Sequence, residues 1–338
     1  MERKVSLKDI AQKVGVSTAL VSYVLNNKRE NRVSKELAQR IRDAAAAMNY
    51  RTNQVARSLK TNKTYTIGLI VSDIANPFSS GLARIIEDEA EQHQYTVIFS
   101  SSDENAGKSG KLIDTLLDRQ VDGLIIALPA FAEHQVLYLQ QQQIPFVLVD
   151  RYFPEIKTNH VALDNYGAAL KGVEYLIKAG RKRIGMITYD TEVFTLQERK
   201  RGYTAALKQH KLPAPKNLVK EVNIKVEKAA VEKAIQTLLS GPDPVDGLLF
   251  GANNLAVAGL KCISAMPIKI PDDLMIVNFD ETEALEFFHA PFAYIKQPLH
   301  EIGRLATRLL LEAIEKRNSI TQINLEGELV LKVPSMPY

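Results

Sequence analysis

Cysteine is nearly missing: the 338-residue chain has only Cys262. One thiol cannot close an intramolecular disulfide, so a disulfide framework is excluded and a reducing cytoplasm is the expected setting. Cys262 itself reads as a small core residue rather than a catalytic thiol. Long apolar runs are missing too, and no stretch approaches the length of a membrane span. The start, MERKVSLKD, carries no apolar leader segment. The six histidines are scattered, without an HExxH pair or any metal-ligand spacing, and neither GxGxxG nor GxSxG occurs. SDENAGKSG imitates a phosphate-binding loop, but Ser102 stands where the motif needs its first glycine. The expectation is a chain without metal, cofactor or enzymatic chemistry.

What is present is ordinary globular material, 46 % hydrophobic and 24 % charged, long enough for two or three domains. The charge is unevenly placed. Residues 1–63 hold fourteen Lys/Arg against five Asp/Glu, a net +9, whereas the remainder is net −5. A basic head on an acidic body points to a polyanionic partner for the head alone.

The head explains that charge. Leu7, Ile10, Ala11 and Val14 share one side of a two-turn helix. Gly15 supplies a left-handed cap, and Val16 drops into the core. Ser17 is the N-cap of a second helix, on which Leu20, Val21 and Val24 face inward while Thr18, Ala19, Ser22 and Tyr23 face out. This is a helix-turn-helix pattern, whose second helix lies in a DNA major groove. A third helix follows from the N-cap Ser34, with Leu37, Ile41, Ala44, Ala45 and Met48 as its apolar stripe. Beyond it, NQVARSLK reads as a short helix showing Val55, Ala56 and Leu59, too short to persist without a partner surface.

The order VSLKDIAQKVGVSTALVSYVLNN, RVSKELAQRIRDAAAAMNY and NQVARSLKTNKTYTIGLIV resembles the LacI/GalR family of bacterial transcriptional regulators. The resemblance implies that Thr18, Ala19 and Tyr23 read bases, while Ser17 and Ser22 hold phosphate and Asn26 joins the DNA-contacting set. It also implies that Val55, Ala56 and Leu59 form a hinge helix that orders on operator DNA in a dimer, with Leu59 as a minor-groove wedge. A plainer reading has Tyr23 packing on a neighbouring helix and Leu59 as linker core.

From Thr64 onward, apolar strands (TIGLIV, YTVIFSS, DGLIIALP, PFVLVD) alternate with amphipathic helices, the mark of βαβ units around a parallel sheet. The pattern then repeats: RIGMITYD echoes TIGLIVSD, and VDGLLFGA echoes VDGLIIALP. The fold class is therefore α/β, with an all-α helix-turn-helix head (1–52), a hinge (53–63) and a two-lobed body (64–338). The family resemblance implies doubly wound lobes of periplasmic-binding-protein type I architecture joined by three crossovers. Lobe one is expected near 64–160 plus 294–323, and lobe two near 161–293 plus 324–338.

Ligands of such sheets sit at the carboxyl ends of strands. Polar side chains gather there: Asp73, Asn76 and Phe78 after the first strand, then Asp150 and Arg151, Asp164 and Asn165, Arg199, Asn253 and Asn254, and Asp280. Ser79 and Thr195 lie beside them in sequence and complete the candidate set. Short carboxylates, amides and an arginine near an aromatic ring suit a polyhydroxylated ligand. Asp and Asn after strands also cap helices, which is the plainer reading of Asp164 and Asn253. The resemblance implies effector contacts for Arg199 and Phe78. It departs at Asn254, where aspartate is usual, and this leaves room for a sugar acid or sugar phosphate beside a plain sugar.

The whole reads as a repressor, a homodimer on a pseudo-palindromic operator whose affinity a cleft-bound effector controls. A secreted solute-binding protein or a sugar-modifying enzyme would share the body, but neither would need the basic head.

Overall fold

The computed structural model describes residues 5–26, 33–50, 63–224, 227–285, 287–288, 290–315 and 319–332. The chain divides into two compact units, Met1–Thr64 and Tyr65–Tyr338.

In the first unit α1 (Leu7–Val14), α2 (Thr18–Leu25) and α3 (Lys35–Ala47) close around Ile10, Ala11, Val21, Val24, Ile41, Ala44 and Ala45. The turn between α1 and α2 depends on Gly15, whose φ of 79° is left-handed and whose N–H donates to the Ala11 carbonyl at 2.9 Å. The Leu20 N–H donates to the Ser17 hydroxyl at 3.2 Å, and the Leu37 N–H donates to the Ser34 hydroxyl at 3.3 Å. Ser6 adds a cap that the sequence reading passed over: its N–H and hydroxyl both donate to Asp9 Oδ2, at 2.8 and 2.7 Å. The signal was there in the Ser–x–x–Asp spacing. Leu20, expected to point inward, is only half-buried and lies outside the head cluster, whereas Leu25 packs against it. An eight-residue helix presents so narrow a core face that Val21 and Val24 fill it. Val55, Ala56 and Leu59 lie outside the described residues.

The second unit holds two six-stranded sheets of the same design. Sheet one has the order β11-β5-β4-β3-β1-β2, all parallel. Its strands are β1 (Thr66–Val71), β2 (Thr96–Ser101), β3 (Gly123–Ile126), β4 (Phe146–Val149), β5 (His160–Leu163) and β11 (Gln322–Leu325). Sheet two has the order β12-β10-β9-β8-β6-β7, with β12 antiparallel to β10. It is built from β6 (Ile184–Tyr189), β7 (Val219–Val222), β8 (Gly247–Phe250), β9 (Met275–Phe279), β10 (Phe292–Lys296) and β12 (Glu328–Lys332). The central strands β3, β4, β5 and β8 are buried throughout, as parallel strands covered on both faces must be, and this explains the unbroken apolar runs of β3, β4 and β8. The echoed motifs hold equivalent places, β1 and β3 in sheet one against β6 and β8 in sheet two.

Helices cover both faces. Around sheet one lie α4 (Pro77–Gln92), α5 (Ala106–Asp118), α6 (Glu133–Gln141) and α11 (Leu299–Ile314). Around sheet two lie α7 (Asn165–Lys178), α8 (Phe194–Gln209), α9 (Glu227–Leu239) and α10 (Asn253–Ile263). The chain passes between lobes three times: at Asp164, at Gln297–Pro298 and at Glu326–Gly327.

These crossings correct the expected lobe limits. Strand 160–163 belongs to sheet one, because it pairs with both β4 and β11. Residues 292–296 belong to sheet two, where Tyr294 stands opposite Asn278 and Val330. Asn324 and Leu325 still pair in sheet one. Apolar runs locate strands, but only pairing assigns them to a sheet.

Candidate functional site

On the head, Thr18 and Ala19 are exposed, Tyr23 is 37 % exposed, and Ser22 is half-buried. Together they form the outward face of α2. Asn26 closes that helix: its Nδ2 donates to the Ser22 carbonyl at 2.7 Å and to the Ser22 hydroxyl at 3.3 Å. Ser22 and Asn26 are thus tied to each other at the end of the outward face.

In the body the strand-end residues meet where the lobes face one another. Asp150 ends β4 and Asp280 ends β9, both with left-handed φ (65° and 73°). Each is anchored through its own N–H, Asp150 on the Val161 carbonyl at 3.0 Å and Asp280 on the Ile295 carbonyl at 2.9 Å. The two lobes thus supply equivalent aspartates at the ends of equivalent strands. Burial pushes both carboxyls above the usual carboxylate range. For Asp150 the nearby Asp280 and Glu104 add to this, and Arg151 and Arg199 partly offset it.

Two guanidiniums balance these acids. Arg151 donates from both terminal nitrogens to Glu104, at 2.6 Å each, and its Nε lies 3.4 Å from Asp150. Burial works against the Glu104 charge, but Arg151 outweighs it and holds the carboxyl below its ordinary value. Arg199, 5 % exposed, donates from Nε to Asn165 Oδ1 at 2.7 Å and from Nη1 to the Gly251 carbonyl at 2.7 Å. Its guanidinium lies 3.9 Å above the Phe279 ring. Burial lowers its pKa, while the charges of Asp280 and Asp150 oppose that shift.

Asn76 and Asn253 connect the lobes directly. Asn76 Oδ1 caps α4 by accepting the Phe78 N–H at 3.0 Å, and it also accepts Asn253 Nδ2 at 3.0 Å. Asn253 is therefore a bridge and not the cap of α10. Asp164 does cap its helix, accepting the Gly167 N–H at 2.9 Å. Aromatic rings cross the lobes as well: Tyr152 stacks on His160 at 4.0 Å and meets the Phe194 ring of α8 edge-on at 5.3 Å.

The other candidates lie around this cluster. Asp73 caps its own turn through the Ala75 N–H at 2.9 Å, and Phe78 is half-buried against the core of lobe one. Ser79 and Thr195 are buried on α4 and α8. Asn254 is half-buried in the first turn of α10. A cavity of about 490 Å³ opens beside Asp280, lined also by Phe78, Lys296 and Gln297, but Asp150, Arg151 and Arg199 are not among its walls.

Two contributors escaped the sequence reading. Glu104 lay in the stretch inspected for a phosphate loop, three residues past the end of β2, where the strand-end rule would have found it. In that stretch Lys108 is paired with Asp103, and the Ser102 hydroxyl donates to the Val71 carbonyl at 3.2 Å. Gln297, which donates to Asp280 Oδ1 at 2.6 Å, sits on a crossing that no local pattern marks.

Residues 6–53 match the family described as bacterial regulatory proteins, lacI family. Residues 64–330 match the periplasmic binding proteins and sugar binding domain of that family. The chain belongs to the LacI family. It is 32 % identical to the HTH-type transcriptional repressor CytR of Escherichia coli (strain K12), over 93 % of this chain and 91 % of CytR. A ribose operon repressor of Halalkalibacterium halodurans is also 32 % identical, over 92 % and 91 % of the two chains. Among solved structures, the transcription regulator CcpA of Lactococcus lactis aligns at TM-score 0.70 and 25 % identity, over 78 % of this chain and 97 % of that one. The lac repressor dimer bound to operator aligns at TM-score 0.85 and 21 % identity, over 97 % and 98 %, and attests the fold. As a LacI-family member, this chain is a ligand-controlled DNA-binding transcriptional regulator. Among the described residues no helix is long and apolar enough to cross a membrane.

Proposed function

We propose that this regulator is a homodimeric repressor, binding a pseudo-palindromic operator through two copies of α2 and releasing or gripping it as a sugar-like effector fills the cleft. The observation that carries the reading is the meeting of Asp150 and Arg151 from lobe one with Arg199 and Asp280 from lobe two. A ligand held by both sets stabilises one relative setting of the lobes, so its binding energy biases their arrangement. Segment 53–63 is the covalent route from lobes to head, and we assign it the task of relaying that bias. Thr18, Ala19 and Tyr23 read bases in this scheme, and Ser17, Ser22 and Asn26 position the helix on the backbone. One head covers only a half-site, so specific affinity needs two.

The function proposed is regulatory and not catalytic. The test is a thermal-shift screen of the full chain against sugars, nucleosides, sugar acids and sugar phosphates, since a ligand of the folded state raises its melting temperature by mass action. Hits are then added to an operator selected from random DNA. A hit that leaves operator affinity unchanged refutes the regulatory role of the cleft.

A further inference from the structure

Resting on that reading of the cleft, we infer that Glu104 sets the charge class of its ligand. By occupying both terminal nitrogens of Arg151, it commits the cleft to an uncharged polyhydroxylated molecule and excludes sugar acids and sugar phosphates.

The buried groups differ in what they still need. Arg151 has its fork filled by Glu104 and its Nε beside Asp150. Arg199 spends Nε on Asn165 and Nη1 on Gly251, and the charges of Asp280 and Asp150 answer its own. Lys296, in the wall of the neighbouring cavity, is paired with Glu281 at 2.8 Å. Three carboxylates (Glu104, Asp150, Asp280) therefore face two guanidiniums, and neither guanidinium is left without a matching acid.

Two buried acceptors are also left without a donor. Among the described residues no donor reaches the buried Asn253 Oδ1 or Gln297 Oε1. Their amide orientations are fixed by neighbours. Gln297 Nε2 is held on Asp280 Oδ1, and Asn253 Nδ2 on Asn76 Oδ1, which already accepts the Phe78 N–H. A hydroxyl donates as well as accepts, so a polyol can satisfy carboxylate and amide oxygens together. A ligand phosphate or carboxylate only accepts, and it would bring a further negative charge beside Asp150 and Asp280. Asn254, which alone would admit an acid, does not add a cation.

The filter is testable because Glu104→Gln keeps the size of the side chain and removes its charge. Arg151 then keeps only Asp150 as its acid, with its terminal nitrogens freed of a charged partner, and a ligand anion can pair with them against one negative charge fewer. The full chain is screened by thermal shift with matched pairs: ribose and ribose 5-phosphate, glucose with glucose 6-phosphate and gluconate, and nucleosides with their monophosphates. The expected result is stabilisation of the wild type by a neutral member and by none of the charged ones. E104Q should gain the charged partner of that neutral ligand, with at least about tenfold tighter binding than the wild type shows. The double variant E104Q/R151Q should lose this gain. Stabilisation of the wild type by any phosphate or acid overturns the inference alone, and that arm stands even if E104Q folds poorly. A well-folded E104Q without the gain overturns it as well. If no member of the panel stabilises the wild type, the reading of the cleft fails and the inference falls with it.

Discussion

Gly202→Ala sets two effects of opposite sign against each other on the helix that carries Arg199. In an open helix the change should stabilise by about 1 kcal/mol, because alanine loses less backbone entropy than glycine. At this position a Cβ would lie 2.2 Å from the Tyr166 carbonyl oxygen, 3.0 Å from Ala169 Cβ and 3.1 Å from the Leu170 N. Two of these obstacles are backbone atoms of α7, so no rotamer change relieves them. The helices must separate by roughly 1 Å to restore ordinary contact distances. Overpacking of this kind costs about 1–3 kcal/mol, and an immovable backbone oxygen places the cost at or above the upper end. The clash wins, with a net loss of about 2 kcal/mol and a fall in melting temperature of roughly 4–8 °C for a body of this size. Arg199 lies on the same helix and bonds Asn165 at the start of α7, so the separation also stretches that 2.7 Å bond. Ligand affinity should drop with stability. Circular dichroism melts and a ligand titration measure both. Gly241→Ala, with nothing within 4 Å of the added carbon, is the control and should stay within about 0.5 kcal/mol. A Gly202→Ala protein that melts at or above the wild type would refute the reasoning.

Other outcomes are equally specific. Tyr23→Ala and Thr18→Ala should relax sequence preference by about 1–3 kcal/mol per lost base contact, seen by comparing selected with random DNA; equal weakening on both would remove the residue as a reader. Arg199→Ala should reduce ligand affinity about 100-fold or more, because Asp150 and Asp280 lose their counter-charge; calorimetric titration showing ordinary affinity would place it outside the site. His160 is pushed down by burial to about 4 from 6.5. Its neutral ring therefore contributes stability that is fully present above pH 6.5 and lost as pH falls toward 4, about 2 kcal/mol between pH 7 and pH 5. His160→Asn should flatten the melting temperature over that interval, and an unchanged slope would assign the pH dependence to other groups.

The α/β alternation and the duplication were legible because buried parallel strands need unbroken apolar runs, and IGLIV and GLLF supply them. The head was legible for a local reason: Gly15 and Ser17 fix a turn within three residues. Strand-end chemistry pointed to Asp150, Arg151 and Asp280, since position after a strand is itself a spatial statement, and the helix after β6 together with the family resemblance pointed to Arg199. What stayed hidden depends on distant partners. Nothing near Glu104 reveals Arg151, forty-seven residues away, and nothing near Asn253 reveals Asn76. The assignment of 160–163 and 292–296 to their sheets was lost for the same reason, since pairing across a crossover leaves no local trace.

The threefold crossing has a consequence for the birth of the protein. The head draws its core from residues 5–50 alone and can close as soon as they emerge from the ribosome. Lobe one cannot. Its first five strands are complete by Leu163, but the same cluster that holds Ile67 and Val147 also needs Ile302, Ala306 and Leu310 from α11. Throughout synthesis of lobe two, that face of sheet one is covered by α4 alone, and the edge of β5 waits for β11. The nascent chain thus carries a folded DNA-reading head on a half-built body, and the body's two halves are finished together by the last forty residues. A chain cut short after Pro298 would keep the head yet leave an apolar sheet face half-covered, making it a client for chaperones and proteases rather than a regulator without control.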